Sequence, residues 1–205
     1  MLLEAEECQL VLVDYQTRLM PAIADAAPVL ANAVRLARMA QALGVPIAAT
    51  EQNPGKLGAS AAELGSVLSA AGASVLSKMA FSACADGLLE LLRPAPRKAA
   101  GNARSLPKHL QKAVPESAPA RNTIVISGVE AHVCLMQTAL DLLEQEFEVW
   151  VVTDACGART ERNRDAAYDR LAGNGAELVT TEMVAFEWLR SAEHPLFREL
   201  QALIK

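Results

Sequence analysis

The sequence predicts a three-layer α/β/α fold with a mostly parallel central sheet. Short β-branched runs alternate with longer segments in which apolar residues recur at helical spacing. The short runs are apolar on both faces, which is typical of parallel strands covered by helices on both sides. The composition is 52% apolar and 21% charged, as in ordinary globular proteins. With 205 residues, the chain is expected to form a single domain over residues 1–205 with a core of its own.

Six runs are predicted to be the strands, with right-handed crossovers between them. They cover residues 9–13, 46–50, 74–77, 123–127, 148–153 and 177–180. Helical patterns cover residues 28–43, 131–146, 160–172, 182–190 and 195–204, and Gly44 is a suitable end for the first helix. Residues 93–122 break the alternation with prolines at positions 94, 96, 107, 115 and 119. We interpret them as a surface excursion or partner-contact loop with a short helix near residues 108–114.

Charge and hydropathy argue against several classes of partner. The net charge is −5 and no run of Lys and Arg occurs, so nucleic acid is not an expected partner. No apolar stretch approaches the ~20 residues that span a bilayer. The first residues, MLLEAEEC, lack the basic start and apolar core of a signal peptide. We therefore expect a cytoplasmic protein without membrane association.

The cysteines and histidines show no metal-ligand spacing. The four cysteines are Cys8, Cys84, Cys134 and Cys156, and no CxxC pair occurs. The three histidines are His109, His132 and His194, and they also lack the spacing of metal ligands. We therefore expect no metal, and in a reducing compartment the cysteines would be free thiols.

An acid, a lysine and a cysteine directly follow predicted strands. Ligands of parallel α/β proteins bind at the carboxyl ends of the strands. Asp14 follows the first run and Lys78 the third, while Cys134 lies shortly after the fourth. Glu51, Gln52 and Asn53 follow the second run, and Asp154 follows the fifth. The acid, the lysine and the cysteine, Asp14, Lys78 and Cys134, are predicted to meet at one edge of the sheet.

Cys134 is predicted to lie in the first turn of a helix. Unpaired N–H groups and the helix dipole there favour a thiolate, and a nearby lysine acts in the same direction, so we expect a lowered thiol pKa. A neighbouring carboxylate can take the thiol proton, which would make Cys134 a nucleophile. The same N–H groups can stabilise an oxyanion on a substrate carbonyl.

Each candidate also has a structural interpretation. Free cysteines are among the most buried residues, so Cys134 can be a core thiol. Asp14 can cap a turn, and Lys78 can be a solvated lysine at a strand end. His132 is interpreted as a hydrogen-bonded residue at a helix start, and Asp154 as a residue that pins a loop.

Four separated motifs carry a family resemblance. They are LVLVDYQ ending at Gln16, TEQNPGKLG from Thr50, SKMAFSA from Ser77 and SGVEAHVC ending at Cys134. With this set, the chain resembles the isochorismatase-like cysteine hydrolases, and within them the isochorismatase domain-containing proteins. The stretches VVTDACGART and HPLFRELQALIK resemble the same subgroup. The resemblance covers nearly the whole chain except residues 93–122.

The resemblance implies a catalytic triad of Asp14, Lys78 and Cys134, with no cofactor. It also implies a cis peptide between Val129 and Glu130, with the amides of Glu130 and Cys134 forming an oxyanion hole. The implied reaction is hydrolysis of a carbon–nitrogen bond in a small molecule, through a thioester on Cys134. The implied quaternary structure is a homo-oligomer.

The chain departs from the family pattern in two places. Many members have threonine where this chain has Ala131. The nicotinamidase branch has a metal-binding histidine soon after the second strand, where this chain has residues 51–53 of sequence EQN. Neither a metal nor nicotinamide is therefore transferred. True isochorismatase cleaves a vinyl ether without this cysteine, so that reaction is not expected here.

Three hypotheses follow for the function. The first is a cysteine hydrolase of a small amide, the second a catalytically weak scaffold that keeps the hydrolase fold, and the third a redox role for the thiol of Cys134. Gln16 is predicted to orient substrate or to fix a loop. Phe81 is predicted to line the substrate pocket or to belong to the core. Phe81, Trp150, Phe186 and Trp188 are candidate anchors of subunit contacts.

Overall fold

The computed structural model describes residues 2–94 and 121–205, and its centre is a six-stranded sheet. The strands are β1 (Cys8–Val13), β2 (Ile47–Gln52), β3 (Ser74–Lys78), β4 (Thr123–Gly128), β5 (Glu148–Val152) and β6 (Glu177–Val179). Their order is β3-β2-β1-β4-β5-β6, and every neighbouring pair is parallel. The predicted α/β fold is therefore confirmed. The surface excursion predicted at residues 93–122, with its short helix, lies outside the described residues except for its ends.

Eight α-helices occur in the described part of the chain. They are α1 (Ala26–Leu43), α2 (Pro54–Leu57), α3 (Ala62–Ala70), α4 (Leu88–Leu92), α5 (Met136–Glu144), α6 (Glu161–Gly173), α7 (Thr181–Leu189) and α8 (Phe197–Ile204). Helix α1 ends as predicted at Gly44, which has a φ of 69°. Helices α2, α3 and α4 were not predicted, because they are short and lie in turn-rich segments. The helix predicted at residues 131–146 begins instead with a π-helical turn, Ala131–Leu135.

Apolar side chains cover both faces of the sheet. Leu10 and Leu12 of β1 belong to the core cluster that contains residues of α1, α7 and α8. Val11 and Val13 point to the opposite face and belong to the cluster with residues of α5 and α6. This alternation along one strand produces the three layers. The prediction of strands apolar on both faces fails at the edge strand β3, where only Lys78 is buried.

Gly128 allows the ends of β4 and β1 to approach closely. It lies in register with Val13, the residue before Asp14. A Cβ atom built at Gly128 would lie 2.5 Å from both the Cβ and the carbonyl oxygen of Val13. No side chain fits this space without moving the backbone that positions Asp14.

We expect Gly128→Ala to lower the free energy of unfolding by about 1–3 kcal/mol, the usual cost of overpacking. Urea unfolding followed by circular dichroism measures this change. The matched control is Gly173→Ala at the end of α6, where an added Cβ meets nothing within 4 Å. The control should keep or raise the stability, since alanine favours helices. Equal losses in the two variants would contradict the packing argument.

No helix within residues 2–94 and 121–205 is both long and apolar enough to cross a bilayer.

Candidate active site

The strand order brings the predicted residues to one edge of the sheet. Asp14 directly follows β1, Lys78 is the last residue of β3, and Cys134 lies in the π-helical turn after β4. Strand β2 lies between β3 and β1 and contributes Thr50 and Gln52 to the same edge. The carboxyl ends of four adjacent parallel strands therefore supply the site.

Asp14 and Lys78 form a buried ion pair. The distance from Lys78 Nζ to Asp14 Oδ2 is 2.8 Å, and both side chains are 0% exposed. The hydroxyl of Thr50 donates a hydrogen bond of 2.7 Å to Asp14 Oδ1. Within the described part of the chain, Asp14 Oδ2 accepts no hydrogen bond besides its ion pair. The interpretation of Lys78 as a solvated lysine is therefore wrong, and Asp14 binds side chains rather than capping a turn.

The ammonium of Lys78 is surrounded by oxygen atoms. Besides Asp14, it donates to Gln52 Oε1 at 2.7 Å and to the carbonyls of Phe81 at 3.1 Å and Ala80 at 3.3 Å. An ammonium has only three N–H donors, so these acceptors engage all of them. Lys78 therefore supplies a fixed positive charge rather than a free hydrogen-bond donor.

The thiol of Cys134 belongs to the same site. Its Sγ lies 3.9 Å from Gln52 Oε1, the oxygen that also accepts from Lys78 Nζ. Because Cys134 Sγ and Lys78 Nζ contact the same oxygen atom, the thiol and the ammonium lie close together in one site. The side chain is almost completely buried.

The expectation of a lowered thiol pKa at Cys134 is wrong. Burial raises its pKa to about 12, the negative charge of Asp14 acts in the same direction, and the positive charge of Lys78 only partly opposes them. The desolvation of the thiolate outweighs the favourable charge and helical turn. The resting thiol is therefore neutral and needs a base to become a nucleophile.

The turn before Cys134 contains a cis peptide bond between Val129 and Glu130. Over residues 2–94 and 121–205, the amide of Glu130 donates no hydrogen bond to a backbone carbonyl. The Glu130 carboxylate forms an ion pair with Arg159, whose Nε lies 2.8 Å from Glu130 Oε2. The contact with Arg159 fixes the side chain of Glu130, while its backbone N–H group can still donate to another acceptor.

Gln16 and Phe81 differ in their surroundings. The Gln16 side chain is fully buried; its Nε2 donates to the carbonyls of Gln52 and Gly58, and its Oε1 accepts from the Gln52 amide. It therefore fixes a loop, and its polar atoms are not available for direct substrate contact. Phe81 is 54% exposed, so it is not part of the core. Of the other candidate anchors, Trp150 and Trp188 are buried, and only Phe186 is exposed.

Two further residues have structural roles, as interpreted from the sequence. Asp154 Oδ1 accepts from the amide and hydroxyl of Thr181 and so pins the start of α7. His132 Nε2 lies 3.3 Å from Asn163 Nδ2. In the residues that the structure describes, no three His, Cys, Asp or Glu side chains are grouped as metal ligands.

Gln52 and Thr50 were not predicted to take part in the site. Both lie on β2, Thr50 within the predicted strand and Gln52 just after it, so their position at the carboxyl end was a signal. Uncharged side chains gave no indication of chemistry by themselves. Only the pairing of β2 with both β1 and β3 shows that they touch Asp14, Lys78 and Cys134.

Comparison with known proteins gives a consistent result. The sequence model of the isochorismatase domain matches residues 8–100 and 106–183. Isochorismatase domain-containing protein 2A of Mus musculus is 34% identical over 200 residues, which cover 98% of this chain and 84% of that protein.

Solved structures share the fold. The MAR1 ribonuclease of Caenorhabditis elegans has a TM-score of 0.81 at 25% identity, covering 100% of this chain and 92% of that one. YcaC of Escherichia coli, described as an octameric hydrolase of unknown specificity, has a TM-score of 0.80 at 23% identity, covering 99% of this chain and 89% of that one. The match of the domain model and the identity to the curated relative together show that this chain belongs to the isochorismatase domain family.

Proposed function

We propose that this protein is a cysteine hydrolase that cleaves a small amide or a related carbon–nitrogen bond without a cofactor. The observation that carries the proposal is the buried Asp14–Lys78 ion pair, whose ammonium shares Gln52 Oε1 with the thiol of Cys134. A buried ion pair is costly unless its groups are well satisfied, and functional sites are where such groups accumulate. Membership of the isochorismatase domain family supports a hydrolase.

The first half of the reaction forms a thioester. Asp14 Oδ2 takes the proton of the Cys134 thiol, and the resulting thiolate attacks the carbonyl carbon of the substrate. The amides of Glu130 and Cys134 donate to the oxygen that becomes negative. The carbon–nitrogen bond then breaks, and Asp14 returns the proton to the departing amine. Lys78 keeps the site close to neutral while the negative charge moves between Asp14 and the thiol.

The second half of the reaction restores the enzyme. Asp14 takes a proton from a water molecule, and the hydroxide attacks the carbonyl carbon of the thioester. The carbon–sulfur bond breaks, the carboxylic acid leaves, and the proton on Asp14 returns to the sulfur of Cys134. The neutral resting thiol fits this cycle, because its raised pKa makes a nearby carboxylate base necessary.

The family comparisons suggest partners as well as chemistry. The E. coli relative is described as octameric, and two exposed aromatic side chains, Phe81 and Phe186, are candidates for subunit contacts in a homo-oligomer. The C. elegans relative is named a ribonuclease. A net charge of −5 without a basic run disfavours RNA as the substrate of this chain.

The test is a screen of small primary and secondary amides for amine release, with RNA included as a further substrate. For an amide that is cleaved, we expect Cys134→Ala to lower kcat by at least about 10³-fold, since the nucleophile is lost. Intact-mass spectrometry of rapidly quenched wild-type enzyme should show the acyl group on Cys134.

The matched control is Cys84→Ala, which removes a partly buried thiol on the 3-10 turn Ala83–Asp86 and should leave kcat within about twofold. If Cys134→Ala keeps the amide hydrolysis of the wild type, the proposed mechanism is wrong. If no amide is cleaved and no acyl adduct forms in a folded protein, the scaffold hypothesis takes its place.

A further inference from the structure

The side-chain oxygen of Gln52 contacts the two groups that the reaction uses most. Gln52 is the last residue of β2, and its Oε1 lies 2.7 Å from Lys78 Nζ and 3.9 Å from Cys134 Sγ. An amide oxygen has two lone pairs, so one can accept from the ammonium while the other faces the thiol. The residue therefore links Lys78 and Cys134 directly.

The orientation of this amide is fixed from its other end. Gln52 Nε2 donates a hydrogen bond of 2.7 Å to the carbonyl oxygen of Met79. A rotated amide would direct two N–H donors at the ammonium of Lys78 and leave that carbonyl facing an oxygen. Charge and hydrogen bonding therefore both keep Oε1 directed into the site.

The backbone of Gln52 is held in the same way. Gln16 accepts from the Gln52 amide at 2.8 Å and donates to the Gln52 carbonyl at 3.0 Å. It also donates to the Gly58 carbonyl. Because Gln16 is fully buried, the main chain at Gln52 is clamped on both polar atoms, and its side chain starts from a fixed point.

We propose that Gln52 is a positioning residue of the hydrolase, which holds the Cys134 thiol and the Lys78 ammonium in their reactive arrangement through an uncharged oxygen. The inference rests on the proposed function for its consequence on turnover. The charged groups that act on the thiol are Asp14, after β1, and Lys78, at the end of β3. A neutral acceptor between Lys78 and Cys134 orients both of them without adding a second negative charge that would compete with Asp14 for Lys78.

Two substitutions of Gln52 should shift the pH midpoint of Cys134 alkylation in opposite directions. Gln52→Glu adds a negative charge beside the thiol, so the midpoint of Cys134 alkylation should rise and the rate at pH 8 should fall about tenfold. Gln52→Met keeps the length but removes the negative end of the amide dipole, so the midpoint should fall. The measurement is the rate constant of iodoacetamide reaction at Cys134 between pH 7 and 11, below the midpoint, where the rate follows the thiolate fraction; peptide mass spectrometry quantifies the adduct. It needs no substrate.

The matched control is Glu51→Gln, one residue earlier on β2. Glu51 Oε1 accepts from the amide and hydroxyl of Ser60, away from the thiol, and glutamine can keep both bonds. Its alkylation profile should equal that of the wild type. If Gln52→Glu and Gln52→Met also keep the wild-type profile while their urea midpoints show that they are folded, the inference is overturned.

A second readout uses an amide that the wild type cleaves. Gln52→Met should lower kcat about tenfold with KM within about twofold, since it disturbs the reacting groups and not the substrate contacts. A rise in KM at constant kcat would overturn the positioning role. The two proposals fail separately: activity kept in Cys134→Ala contradicts the hydrolase mechanism, whereas unmoved alkylation profiles at position 52 contradict only the role of Gln52.

Discussion

Replacing Lys78 with methionine is expected to lower the free energy of unfolding by about 3–5 kcal/mol, because the Asp14 carboxylate then stays buried without its cation. Both side chains of the pair are 0% exposed, so water cannot replace the ammonium. Among the described residues, the remaining side-chain partner of the Asp14 carboxylate would be the Thr50 hydroxyl, which donates one hydrogen bond. Urea unfolding at pH 7, followed by circular dichroism, measures the loss.

Two controls separate the charge effect from the loss of packing. The double variant Asp14→Asn with Lys78→Met removes both charges, and it should recover most of the stability. Arg164→Met breaks the exposed pair with Asp165 and should cost less than about 1 kcal/mol. If the Lys78 variant is no less stable than the Arg164 variant, the buried pair does not have the energetic role that its geometry indicates.

The variant Asp14→Asn is expected to make Cys134 more reactive toward iodoacetamide while it strongly slows hydrolysis. The negative charge of Asp14 raises the pKa of the Cys134 thiol, and Lys78 opposes it. Removing that charge lowers the pKa, so the thiolate fraction at pH 8 should increase about tenfold for each unit of the shift. Turnover should fall about 10²–10⁴-fold, because the base that activates the thiol is lost.

The measurement compares the pH profile of Cys134 alkylation with kcat in the same preparations. The matched control is Asp154→Asn, the same change at another strand end, where the carboxylate only holds Thr181 at the start of α7. It should leave the alkylation of Cys134 unchanged. Slower alkylation in Asp14→Asn than in the wild type would show that the charge of Asp14 does not control the thiol.

Faster alkylation of Cys134 together with slower turnover would identify Asp14 as the base that activates the thiol. Replacing a residue that only supports the fold would instead lower turnover and disorder the site. Since the thiol of the wild type is neutral below a pKa of about 12, rapid alkylation at neutral pH is not expected even for a working nucleophile. Slow alkylation of the wild type is therefore compatible with the proposed mechanism.

Local sequence patterns determined the fold class of this protein and the place of its candidate site. Alternating β-branched runs and helical periodicity predicted the parallel sheet, because burial between two helical layers selects those residue types. The position of Asp14, Lys78 and Cys134 after separate strands predicted one shared edge, and the structure brings them together there. The short helices α2 to α4 were missed, since four to nine residues carry little periodicity.

Only the tertiary structure decided how these groups act on one another. The raised thiol pKa of Cys134 depends on burial and on Asp14, which lies far away in the sequence. The contacts of Gln52 with Lys78 and Cys134, and the loop-fixing role of Gln16, depend on which strands are neighbours. Desolvation and Coulomb interactions are set by distances in space, whereas sequence patterns report the local environment of each segment.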